Sequence, residues 1–147
     1  MIAHTIQLAL APVFVLVAIG NIMNILSTRL GRIVDRARTL QKLHGETQGA
    51  AHDIIVIEMR TIDERIALST RAIRTLVTSG LSIGTTVAIL FVEEMASYPL
   101  ETVAAVFFLI AVLLLMHALL QFLRETRLAA ASLRIPEEYL EMHRGEL

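Results

Sequence analysis

No cysteine occurs in the 147 residues. Disulfides, thiolate metal sites and thiol catalysis are thereby removed. Aromatic residues make up only 5% and Trp is absent. The arginines are mixed with Asp and Glu rather than with aromatic rings, so no nucleic-acid partner is expected. There is no glycine-rich phosphate loop, and no nucleophile stands with a base in an arrangement suited to hydrolysis. The chain is therefore not expected to be an enzyme, and neither a cofactor nor a metal ion is expected. Residues 13–44 contain no proline, so nothing there forces a helix to stop. The start, MIAHTIQLALAP, has no positive n-region and no small-residue cleavage site. It reads as a retained span rather than a signal peptide. The most informative absence is in the connection Glu93–Glu101, which has three Glu and no Lys or Arg.

What is present is segregated. Nine of the thirteen Lys and Arg lie between Arg29 and Arg74, and the last four, Arg124, Arg127, Arg134 and Arg144, follow the third apolar run. By the positive-inside rule the basic segment and the C-terminus face the cytoplasm, with the N-terminus and the Glu-rich loop outside. Hydrophobic residues make up 55%, gathered in three runs: 6–26, 76–92 and 102–123. A hydrocarbon core of ~30 Å needs about 20 apolar residues, with a lower limit near 17. The second run is marginal in length and rich in small and hydroxyl residues, so it is expected to be enclosed by other helices. The third is almost pure aliphatic and Phe, and is expected to face lipid.

The basic segment is periodic. Leu26, Leu30, Ile33, Ala37, Leu40 and His44 step by fours and threes, as do Ile55, Met59, Ile62, Ile66, Ser69, Ile73 and Leu76. Such spacing puts an apolar stripe on one side of each helix, as in a coiled-coil seam. GETQG at 45–49 lies between them and reads as a turn. The expected fold is all-α: a polytopic, single-domain membrane protein with three transmembrane helices. Extensions of the first two form a cytoplasmic antiparallel hairpin over 27–75, roughly 25–35 Å long by helix rise. An outer loop spans 93–101. After the third span, 124–147 continues helical for two or three turns, then forms a short acidic helix opened by Pro136.

Several residues could carry function. Arg29, Arg32 and Arg36 share one helix face just below the membrane, with Arg38 completing the cluster. They are expected to anchor against anionic headgroups and to pair with Glu58, Asp63 and Glu64; a basic portal or anion site is the sharper alternative. Asn21 and Asn24 share a face in the inner half of the first span. Carboxamides in lipid must point at protein or water, so these either bond between helices or line a path. In the second span Thr75, Thr78, Ser82 and Thr85 step by 3, 4 and 3. This hydroxyl stripe, widened by Ser79 and Thr86 and flanked by Gly80 and Gly84, suits close packing or a pore wall. Three spans cannot enclose a pore, so the pore reading requires a homo-oligomer. Glu93, Glu94 and Glu101 would then form an outer acidic ring. His117, with Gln121 one turn later, has no second His at ligand spacing and is read as structural. His44 and His52 flank the turn.

The stretch APVFVLVAIGNIMNILSTRLGRIVDRARTL resembles the signature of a family of small bacterial membrane proteins grouped under a domain of unknown function. Ala11-Pro12, Asn24 and the run Arg29, Arg32, Asp35, Arg36, Arg38, Leu40 carry the resemblance. It implies a bacterial inner-membrane protein with three spans, and no activity. From the residues, two functions stay open. One is a homo-oligomeric, cation-favouring channel lined mainly by the second span. The other is a non-conducting scaffold or regulatory protein whose hairpin binds a cytoplasmic protein partner.

Overall fold

The computed structural model describes residues 2–96 and 99–132. Three helices account for nearly all of them: α1 (Ile2–Glu46), α2 (Ala50–Ala96) and α3 (Glu101–Ser132). Each is long and apolar enough to cross a membrane, and the protein is an all-α membrane protein. The short acidic helix expected from Pro136 onward, with Arg134, His143 and Arg144, lies outside the described residues.

α1 and α2 run without a break from their apolar segments into the basic hairpin. At 1.5 Å per residue each is about 70 Å long. Their packing follows a repeat of seven. α1 buries Thr5, Pro12, Ile19, Leu26, Ile33 and Leu40. α2 buries Ile55, Ile62, Ser69, Leu76 and Ile83 in one series, and Ala72, Ser79 and Thr86 in a second. A seven-residue repeat keeps one narrow seam facing its neighbour along the whole length of a helix pair. In the hairpin the seam is a core of Ile33, Leu40, Ile55 and Ile62, filled in by Ala37, Leu43, Met59 and Ile66. In the apolar segment it continues as Ile19, Leu26, Leu76 and Ile83.

The hairpin turn needs a particular residue. Gly49 has φ of 68°, a conformation that costs an L side chain about 1–2 kcal/mol and glycine almost nothing. Its carbonyl accepts from the backbone N–H groups of His52 and Asp53 at 3.0 and 3.2 Å, opening α2. Asp53 in that first turn also complements the helix dipole.

α3 returns along α2 and barely touches α1. It buries Ala104, Ala111, Ala118 and Glu125, again every seventh residue. Alanine lets the two backbones come close. Their proximity is visible in two bonds: Ser79 Oγ donates to the Ala111 carbonyl at 2.7 Å, and Ser82 Oγ donates to the Phe107 carbonyl at 2.9 Å. The opposite face of α3 exposes Leu109, Leu113, Met116 and Leu120.

The connection between α2 and α3 is shorter than 93–101. α2 continues through Ala96 and α3 begins at Glu101, so Glu93 and Glu94 belong to the last turns of α2. Helix-favouring Glu and Met extend the helix, and Pro99, which cannot donate to the ladder, ends it.

Candidate functional site

The most concentrated polar structure lies where the apolar segments end. Glu125 of α3 is fully buried. Its Oε2 accepts from Arg29 Nη2 of α1 at 2.7 Å, and its Oε1 accepts from Arg65 Nε of α2 at 3.1 Å. One carboxylate thus ties together three helices, two of which have almost no other contact. Arg29 also lies over the Phe122 ring at 5.1 Å, a cation–π contact that holds its guanidinium in place. Two cations share one anion, so the node carries a net positive charge beside the basic face. Burial of an ion pair is tolerable only when the geometry satisfies both partners, and here both carboxylate oxygens are engaged.

Of the basic cluster, Arg29 therefore pairs with Glu125. Arg36 pairs with Glu58, as expected, through two hydrogen bonds of 2.7 and 2.9 Å. Those bonds raise the Arg36 pKa above its ordinary value, desolvation opposes the rise and the Glu58 charge adds to it. The pair is half exposed, so its contribution to stability is only about 0.2–1 kcal/mol. Arg32 and Arg38 are exposed and form no ion pair among the described residues. Asp63 and Glu64, the other expected acidic partners, are exposed and likewise unpaired among the described residues.

The hydroxyl stripe of α2 divides. Ser79, Ser82 and Thr86 are buried in the α2–α3 seam, and Thr86 Oγ1 donates to the Ser82 carbonyl at 2.9 Å. Ser82 is a correction to the pore-lining set: its hydroxyl is committed to α3 of the same chain. Thr75 is partly exposed, and Thr78 and Thr85 are exposed. Each of these three donates to the carbonyl four residues earlier, at 2.9–3.0 Å. Gly80 faces Leu16 and Ile19 of α1, while Gly84 faces open space.

Asn21 and Asn24 are exposed on α1. Advancing about 100° per residue, they lie opposite the Ile19–Leu26 seam, whereas Thr78 and Thr85 lie opposite Leu76 on α2. The two polar sets point away from each other across the α1–α2 pair. Within one chain, therefore, Asn21 shares no face with Thr78 and Thr85.

Glu94 is half-buried, and its Oε2 accepts from Thr5 Oγ1 at 2.7 Å, joining the start of α1 to the end of α2. Glu93 is half-buried and Glu101 is exposed in the first turn of α3. His117 and Gln121 bond to each other through their Nε2 atoms at 2.8 Å. His44 and His52 meet at the hairpin tip, ring centroids 4.3 Å apart.

Two features were not anticipated from the sequence. One is Glu125, whose signal was its place in the Ala104–Ala111–Ala118 repeat. The other is a pair of apolar side chains on the hairpin surface: Ile54 and Ile57 are 66% and 64% exposed, on a stretch well beyond the apolar segments. A shallow groove of about 120 Å³, lined by Ala37, Gln41, Met59, Ile62, Asp63 and Ile66, also opens on the hairpin.

The family described as "Protein of unknown function (DUF2721)" matches residues 9–135. No curated protein and no solved structure matches the chain.

Proposed function

The chain belongs to this family of unknown function, and from that premise we propose that it is a membrane-anchored docking protein. It sits in the bacterial inner membrane with its N-terminus outside and its basic hairpin in the cytoplasm. The count of basic residues on each side of the spans supports that orientation. The observation that carries the docking role is the exposure of Ile54 and Ile57 on a hairpin that already has its own buried core. Two adjacent isoleucines are not needed to hold that hairpin together, and water is a poor environment for them. Flanking charges, including Asp53, Glu58 and Arg60, give the patch the polar rim expected of a protein interface.

The test is a photo-crosslinking side chain placed at Ile54 or Ile57 in living cells, with Lys42 on the other helix as comparator. A discrete adduct at the isoleucines, lost when the neighbouring isoleucine becomes Glu, is the expected result. Adducts equal at all three positions, or none at the isoleucines, remove the docking reading. The orientation is tested separately. A reporter after Leu147 should behave as cytoplasmic, and one between Ala96 and Ser97 as external.

The channel reading keeps two favourable observations, the exposed carboxamides of Asn21 and Asn24 on α1 and the exposed Thr78 and Thr85 on α2. Ser82 is sealed against α3, so a lumen would be lined by one of those two faces without it. Ion flux from purified protein in liposomes, abolished by Asn21→Leu with Asn24→Leu, would establish it.

A further inference from the structure

α1 carries a second heptad stripe on the face turned away from α2. Val17, Asn21, Asn24, Thr28, Gly31 and Asp35 step by 4, 3, 4, 3 and 4, and all six are exposed. Neither Asn carboxamide has a hydrogen-bond partner among the described residues, whereas Thr28 Oγ1 donates to the Asn24 carbonyl at 2.9 Å. Asn21 and Asn24 lie within the apolar segment, where unsatisfied amide groups are costly. Thr78 and Thr85 avoid that cost by bonding to their own helix; the two asparagines do not. Below them, Asp35 lies between Arg32 and Arg38, and none of the three is ion-paired among the described residues.

We propose that this stripe is the interface for α1 of a second copy of the same chain, packed parallel about a two-fold axis along the membrane normal. A carboxamide both donates and accepts, so an Asn at an axis can pair with its own copy. A polar Asn at a core heptad position is a known determinant of register and partner number in paired helices. Copies inserted with one topology are necessarily parallel, so the two Asp35 carboxylates lie level with each other, and Arg32 and Arg38 of both copies, about one turn to either side, offset their charge. Gly31 has nothing within 4 Å of where its Cβ would be, leaving room for the partner's backbone. The proposal is independent of the docking role of the hairpin.

The absence of native cysteine makes the test clean. Single cysteines at Val17, Thr28 and Gly31, and at the off-stripe positions Ala18 and Ser27, would be oxidised in native membranes. Disulfide dimer at the first three and background at the last two is expected. Equal yields at all five positions, or none on the stripe, overturn the proposal. With Thr28→Cys as reporter, Asn21→Leu with Asn24→Leu should lower dimer yield several-fold. Retained yield would show that the carboxamides do not drive the pairing. Asp35→Arg alone, and Arg32→Asp with Arg38→Asp alone, should each depress homodimer yield. Co-expression of those two variants should restore a mixed dimer, an outcome that misfolding cannot produce. Failure of restoration would remove the charge pairing.

Discussion

At the scale of single residues, Glu125 is the strongest determinant and the least legible. In the sequence it lies in RETRLAAAS, among arginines, and resembles any solvated helix residue. Only the seven-residue spacing from Ala104 through Ala118 gives it away, because a position that seats alanine against α2 must also be buried. The arginines show the same limit. Spacing put Arg29 and Arg36 on one helix face, and Arg36 meets the expected Glu58 of α2, but the acid that Arg29 meets lies on a third helix. Replacing Arg29 and Arg65 together with Met leaves a bare buried carboxylate, and should lower stability by about 3–5 kcal/mol in thermal unfolding in detergent. Glu125→Ala should be less damaging. It continues the alanine series, and both arginines are partly exposed and can turn to water. Equal losses from the two variants would mean that the node does more than satisfy its own charge. Ser69 offers the opposite experiment. Its hydroxyl is buried without a hydrogen-bond partner among the described residues, which is unfavourable for a polar group. Ser69→Ala should therefore raise stability by about 1 kcal/mol in the same assay, and a clear loss would indicate an unrecognised partner.

At the scale of elements, the α1–α2 seam was readable because its period is carried by large aliphatic residues that can do little else but pack. The expected residues Ile33, Leu40, Ile55 and Ile62 form the hairpin core. The α2–α3 seam was not readable in the same way. Thr78, Ser82 and Thr85 spread over about 60° of helix circumference at 3.6 residues per turn, and the edge of the seam falls between them. Composition can place a hydroxyl stripe on a face, but it cannot say which third of that face a neighbour covers. Ser82→Leu should overpack the contact with Phe107 at a cost of about 1–3 kcal/mol. Gly80→Ala should do the reverse. A Cβ there would meet Leu16 Cδ1 at 3.6 Å and Ile19 Cγ2 at 3.9 Å, ordinary contact distances, and alanine gains about 0.8–1 kcal/mol in helix propensity. A destabilised Gly80→Ala variant would show that α1 and α2 approach more closely than these distances.

For the whole molecule, the continuity of α1 and α2 through the level where the apolar segments end has a mechanical meaning. No flexible joint separates the part held by lipid from the hairpin that carries Ile54 and Ile57, and the Arg29–Glu125–Arg65 node braces the pair at that level. The hairpin is therefore the free arm of a lever whose other arm is embedded in the bilayer. Spans adapt to a thinner or thicker bilayer chiefly by tilting. A change in tilt of about 10° swings a tip some 30 Å away by about 5 Å, taking the arm length from helix rise. A spin label at the exposed Gln48, measured against labelled lipid headgroups, should move by several ångströms between short-chain and long-chain vesicles. A tip that stays still would require a hinge within α1 or α2. With the lever intact, lipid thickness becomes a mechanical input that sets where the isoleucine patch is presented.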